Sequence, residues 1–375
     1  MAHATMTPDT TEPTVSPKPV RRESQLNRSI HGLRGFAAGI VVLFHIHLMA
    51  QEKGFVPKVT GSGPVDRLLN DLGTFGVAVF FCISGFLIVQ SLIKHADAGV
   101  FAKNRAIRIY PVFALLHLIM FTVGVAVNYE WMGKLKHDPV AYAGHFFSNL
   151  FFLPGVNLDL PIAQKNAWSL SFEALFYVLA AVAFIATTNW QKNKAVSVIL
   201  FATFAVATGL FLFFRGYSLF FLVGVASYFI WTKTQWKPDK ILATLVGLAA
   251  FLIAAFSFGY RYGFALPFAL LFFYTIVAEQ GVLAKILQSR LFLFLGTISY
   301  SMYLIHPFVM DPLRSIAGKL EPKVGPTGAL VFFVIATLTL VPLVSWVSYQ
   351  LLEVRMTKWI SKRLKKPAPA QPQAA

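Results

Sequence analysis

Five ionisable side chains stand inside stretches that are otherwise apolar: Arg34, His45, His117, Glu173 and His306. Such groups are costly in hydrocarbon, so they face a bundle interior or a wet cavity and mark chemistry or transport. Arg34 and His45 lie eleven residues apart. Eleven helical steps return to nearly the same face, with a rise of roughly 16 Å. The two therefore share one stripe of one helix, with Gly35, Ala38 and Gly39 between them. Taken singly, Arg34 can snorkel to headgroups and His45 can sit at the interface. Together on one stripe they favour a lined cavity, with His45 placed for general-base chemistry.

Glu173 stands in Trp168-Ser169-Leu170-Ser171-Phe172-Glu173. The helix dipole favours an acid in a first turn, but neither serine has capping-box spacing to it. Glu173 is about three residues from the start of its span and His45 about four from the end of its own. The two can meet at one level if the helices are neighbours, and Glu173 would then orient the base. Arg105 and Arg108, with Lys103 beside them, share a helical face. They can grip phosphates bidentately, or serve only as basic-loop charge. Tyr300, Tyr303 and His306 fall at i, i+3, i+6 and can line a site; interfacial tyrosine is the routine alternative. His117 reads as an interior histidine, and His47 lies off the His45 stripe. No zinc motif, phosphate loop, dinucleotide fingerprint or Gly-x-Ser-x-Gly elbow occurs. The single cysteine, Cys82, excludes an internal disulfide and a Cys-based metal site.

These residues need elements to hold them. The chain has 375 residues, 56% hydrophobic and only 13% charged, against about 25% charged in a soluble domain. Mean hydropathy is +0.63. An ordinary soluble domain and a disordered chain are excluded. A nucleic-acid binder is disfavoured although Lys and Arg outnumber Asp and Glu by 33 to 16. Ten apolar runs recur, at 30–49, 74–93, 109–127, 170–186, 196–214, 217–232, 241–258, 264–278, 291–310 and 329–351. A crossing helix needs roughly 17–25 residues, and the alternation of a barrel is absent. The expected fold is all-α: a polytopic integral membrane protein of about ten transmembrane helices, the sixth and eighth being short. Residues 146–153 are too short to cross and read as re-entrant or interfacial.

Of the 33 basic residues, 21 fall on the side of the amino terminus, 11 on the other and Arg34 within the first span. That bias places both termini in the cytoplasm. Residues 1–27 read as a disordered cytoplasmic tail, 28–353 as the membrane domain, and 354–375 as a basic, Pro-rich cytoplasmic tail. The outer connections 47–73, 128–169 and 311–328 are the longest and can shape a site.

With these residues quoted, a resemblance is visible over roughly 30–352. The segment from Arg34 to His45 resembles the Arg-x10-His signature of the acyltransferase-3 family of integral membrane O-acyltransferases. Phe80-Phe81-Cys82-Ile83-Ser84-Gly85-Phe86-Leu87-Ile88 is similar to that family's second-span motif, and Arg105-Ala106-Ile107-Arg108-Ile109-Tyr110-Pro111 to its cytoplasmic arginine element. The segments from Trp168 to Glu173 and from Ser299 to Pro307 match in the same order. The chain resembles the stand-alone members, without a fused SGNH esterase-like domain.

The resemblance implies transfer of an acyl group, most often acetyl from acetyl-CoA, to a hydroxyl of a surface carbohydrate such as O-antigen, lipopolysaccharide or exopolysaccharide. A small molecule such as a macrolide is an alternative acceptor. It implies catalytic roles for His45, Glu173 and Arg34, and acyl-CoA binding by Arg105, Arg108 and Arg34. Trp168, Ser169, Ser171, Tyr303 and His306 are acceptor-site candidates. His45 would be either general base or transient acyl carrier. Acyl-CoA is the donor substrate, with no metal or prosthetic group. The implied setting is the inner (cytoplasmic) membrane, with the bilayer, acyl-CoA and a carbohydrate as partners, and no nucleic acid. Two other readings stay open: an ion-coupled transporter or flippase for an anionic or sugar-linked lipid, and a scaffold whose polar groups merely pair helices.

Overall fold

The computed structural model describes residues 27–57, 64–155, 160–258 and 262–364. The expected tails lie largely outside them. Between residues 354 and 363 the chain is helical. The described residues are helical with no strand. The helices are α1 (Arg28–Glu52), α2 (Pro64–His95), α3 (Ala98–Ile119), α4 (Pro139–Leu150), α5 (Trp168–Asn189), α6 (Lys194–Phe214), α7 (Leu219–Thr234), α8 (Lys240–Ser257), α9 (Tyr262–Val277), α10 (Gly281–Leu287), α11 (Arg290–Ser348) and α12 (Thr357–Arg363).

Short polar residues set where these helices start. Asn27, Asp97, Asp138, Asn193 and Asp239 are N-caps whose side chains accept backbone N–H bonds at 2.8–3.0 Å. A cap satisfies donors that have no partner within the helix, worth about 1 kcal/mol each. At α1 the Glu279 carboxylate adds a bond from Arg28 N at 3.0 Å, where the dipole favours an anion.

Among the described residues, seven helices are long and apolar enough to cross a membrane, or eight if α9 and α10, bent by 62°, form one span. The expected count of about ten is not reached by that measure. α7 has 16 residues. The runs expected at 291–310 and 329–351 lie on either side of a kink at Gly325 (φ 73°, ψ 170°) in α11, the second running on into the π-helical turn Tyr349–Met356. Residues 311–324, expected as part of a loop, continue the first of these helices. There Arg314 ties Asp311 at 3.1 Å and Glu52 of α1 at 2.5 Å. The run at 146–153 is the end of α4 and the turn after it.

α2 is the central helix: two-thirds of its apolar window is buried, against 11% for α6. α6 turns Ile199 and Phe213 outward, as a lipid-facing helix does. Stacked rings bind the centre, with Phe81 on Phe221 at 4.5 Å and Phe176 on Phe221 at 4.2 Å.

α1 lies against α11. Gly35 meets Gly296 with no room for a side chain: a Cβ on Gly35 would stand 2.5 Å from the Gly296 nitrogen. Ten residues further along each helix are His45 and His306, with ring centroids 4.8 Å apart. The two helices therefore run parallel, and the glycine contact sets the distance between the imidazoles.

Candidate active site

His45 Nδ1 lies 2.8 Å from the Val41 carbonyl oxygen, and His306 Nδ1 lies 3.1 Å from that of Met302. A carbonyl only accepts, so in both rings Nδ1 carries the hydrogen and Nε2 keeps its lone pair. His306 is wholly buried and its Nε2 has no partner. His45 is half-buried and lines an outer cavity of about 480 Å³, which also takes in Glu52, Tyr129, Gln164, Asn166, Asp311 and Arg314.

Below it lies a small inner cavity of about 70 Å³, bounded by Arg34, Ser84, Arg105, Arg108, Ser169, Glu173, Tyr177, Tyr300 and Tyr303. A third, of about 760 Å³, is lined by Arg28, His31, Arg34, Gln90, Tyr228, Trp231, Lys237 and Glu279. Arg34 borders both of the last two and so stands at their junction.

Glu173 does not meet His45 as expected. It accepts from Ser84 Oγ at 2.6 Å and from the Tyr177 hydroxyl one turn along its own helix. Its carboxylate therefore faces the arginines of the inner cavity. The place beside His45 is taken by His306, because the glycine contact brings α11 against α1. Glu173 and His45 border different cavities; which neighbour fills a helix face is a matter of packing.

Arg105 and Arg108 line the same inner cavity. The Arg105 guanidinium lies 5.6 Å from the Phe101 ring centre and 5.8 Å from that of Tyr177, within cation–π range. Its Nε is buried without a partner, leaving a donor for an anion. Glu353 lies in electrostatic range of Arg34 and Arg108 and accepts from Ser301 at 2.7 Å.

A hydrogen-bonded layer separates the inner and outer cavities. The Tyr303 hydroxyl donates to the Asn166 carbonyl at 3.0 Å and lies 2.7 Å from Ser169 Oγ. The Asn166 amide donates back to the Tyr303 carbonyl and, at 3.3 Å, to that of Leu304. Tyr303 and Ser169 thus belong to this layer, and His306 to the His45 pair. Trp168 packs on Phe172, Tyr217 and Phe81 and borders none of the three cavities. Ser171 is buried beside a small hole with His117, Asn149 and Gln164.

Sequence reasoning missed His31, Ser84, Gln164, Asn166, Tyr177 and Glu353. Tyr177 had a signal, four residues after Glu173 on one helix face. Gln164 and Asn166 lie before α5 in irregular chain, where no period points.

Outside the spans, burial, with the Asp311 and Glu130 carboxylates adding to it, holds the Tyr129 phenol far above its ordinary range. It stays protonated and donates to Asp311 at 3.3 Å. Among the described residues, no group of three or more His, Cys, Asp or Glu is placed to hold a metal ion.

The described residues thus place basic side chains around two connected cavities, with His45 and His306 beyond them. The chain belongs to the acyltransferase family (Acyl_transf_3, acyltransferase domain), matched over residues 27–346. It is similar to the O-acetyltransferase OatA of Staphylococcus aureus strain NCTC 8325 and to that of strain COL. Identity is 26% in both cases, over 88% of this chain and 57% of the relative. The chain thus spans little more than half the length of these relatives. No solved structure matches it.

Proposed function

We propose that the protein is a multi-pass O-acetyltransferase of the inner membrane. It would take acetyl from acetyl-CoA on the cytoplasmic side and place it on a hydroxyl of a cell-surface carbohydrate on the other. The observation that carries this is Arg34 and His45 on one face of α1, Arg34 bordering the two basic chambers and His45 the outer cavity. Their rise of roughly 16 Å suits an extended pantetheine arm reaching from anchored phosphates to the base. The names of the similar proteins support acetyl as the group moved.

In the transfer, His45 Nε2 accepts the proton of the acceptor hydroxyl as its oxygen attacks the thioester carbon. The C–S bond breaks, an ester forms, and coenzyme A leaves as thiolate and then takes the proton from His45. Arg105 and Arg108 hold donor phosphates, with Arg34 further along its path. Glu173 balances these charges and holds Ser84 and Tyr177. His306 fixes the neighbouring ring. The basic bias places both termini in the cytoplasm, with 28–353 as the membrane domain.

The test is a vesicle assay with labelled acetyl-CoA and the surface-glycan fraction of the host. Wild type should transfer label to the glycan. His45→Ala should lose at least about 100-fold, the low end of general-base contributions, while inserting normally. Full glycan acetylation by that variant would remove His45 from the chemistry. Label staying on the protein with acetyl-CoA alone would make His45 a carrier instead of a base.

A further inference from the structure

The outer cavity holds an unusual set of idle groups. Gln164 is 3% exposed, yet neither its Nε2 nor its Oε1 has a partner; Asn166 is 6% exposed and its Oδ1 is likewise free. A buried carboxamide left unbonded costs roughly 1–3 kcal/mol for each group, so these atoms call for a ligand. Both side chains border the cavity that contains His45. Gln164 also borders the small hole beside His117, of about 10 Å³. That is at the lower limit for one water, too little to serve both ends of the amide and Asn166 as well.

The charged groups of the same cavity are already matched. Lys165 pairs with Glu130 at 2.5 Å. The two terminal nitrogens of Arg314 hold Glu52 and Asp311 at 2.5 and 3.1 Å, and Tyr129 donates to Asp311. Three carboxylates stand against two cations, so an anionic ligand meets a small excess of like charge. The free atoms are the amide donors and acceptors of Gln164 and Asn166 and the Nε of Arg314, whose charge its two carboxylates already offset. That set fits hydroxyls, which both give and take hydrogen bonds. At about 480 Å³ the space falls within the usual range for small-ligand sites.

We infer that the outer cavity is a site for an uncharged, hydroxyl-bearing sugar unit, with Gln164 and Asn166 as positioning residues that turn one hydroxyl toward His45. The inference rests on the O-acetyltransferase reading above and narrows its acceptor: an unmodified neutral sugar is favoured over a uronate or a phosphosugar.

The experiment uses the full chain in proteoliposomes with labelled acetyl-CoA. The acceptors are neutral gluco-, galacto- and N-acetylglucosamine oligosaccharides and the matching uronic-acid oligosaccharides. Neutral acceptors should be labelled at least tenfold better in kcat/KM. Gln164→Leu should raise the acceptor KM about tenfold, with kcat within twofold and the acetyl-CoA KM unchanged; Gln164→Asn should recover part of the loss. Should Gln164→Leu fail to insert, Gln164→Glu serves in its place, with the same rise in acceptor KM expected. Preference for the uronates overturns the inference. So does an equal fall of all kinetic constants in the variant, which marks a structural role. If the surface-glycan fraction is acetylated but neither oligosaccharide set is, the neutral-sugar inference fails and the O-acetyltransferase reading stands. If wild type transfers label to nothing, that reading fails with it.

Discussion

His45 and His306 each spend Nδ1 on a carbonyl of their own helix one turn earlier. That bond fixes the ring and frees Nε2, so the proton-accepting atom is settled by local helix geometry. In the proposed reaction His306 would act only through its ring contact with His45, as a positioning residue. His306→Phe keeps the volume and removes the polar ring. It should lower kcat about 10-fold or more with acetyl-CoA KM unchanged, and flatten the pH profile of kcat if the two imidazoles titrate together. A changed donor KM alone would argue against the pairing. Tyr303→Phe removes the hydroxyl that joins Ser169 to Asn166. Losing two neutral hydrogen bonds of about 1 kcal/mol each should leave folding intact while weakening the layer between the chambers. The expected sign is more acetyl-CoA hydrolysed per acetyl transferred, measured as free acetate against labelled glycan.

At the scale of elements, the α1–α11 contact decides whether the histidines meet. Gly35→Ala puts a methyl against backbone with no flexible side chain to yield. The helices must then separate, and forced overpacking typically costs 1–3 kcal/mol. Thermal stability in detergent should fall, and glycan acetylation should fall by more than the loss of folded protein explains. Gly39→Ala, on the same helix where no atom lies within 4 Å, is the control and should change neither. The arginines proposed to hold the donor, Arg105 and Arg108, sit on a different element, α3. Arg105→Ala with Arg108→Ala should raise the acetyl-CoA KM at least about 10-fold, since charge-assisted bonds are worth roughly 1.5–3 kcal/mol. The acceptor KM should not move.

For the whole molecule, the excess of 33 basic over 16 acidic residues carries the proposed orientation. Cys82, the one cysteine, is buried, so single cysteines can be placed on a quiet background. In intact cells, His137→Cys should react with a membrane-impermeant maleimide and Lys233→Cys should react only after lysis. The reverse pattern would invert the molecule and move the donor chamber to the wrong side.

The amino-acid sequence by itself determined the all-helical membrane class, the family, and most of the polar residues that matter. Hydrophobic run length, helical spacing and capping are local properties, and the Arg34–His45 stripe follows from 3.6 residues per turn on a single helix. It also placed Arg34 and Glu173 inside the molecule, since charges in apolar runs must face inward, whereas Arg105 and Arg108, just before the third run, stayed open between a phosphate grip and loop charge. Only the tertiary structure decided the partners. Glu173 turned to Ser84, Tyr177 and the arginines, while His306 came to His45, because those choices depend on which helices touch and at what register. The helical path of residues 311–324 up to the kink at Gly325 is likewise tied by Arg314 reaching back to Glu52 of α1. Gln164 and Asn166 were silent in the sequence for the same reason: the short turn before α5 has no period, and only the fold shows that the Gln164 amide and the Asn166 Oδ1 end unbonded beside His45's cavity.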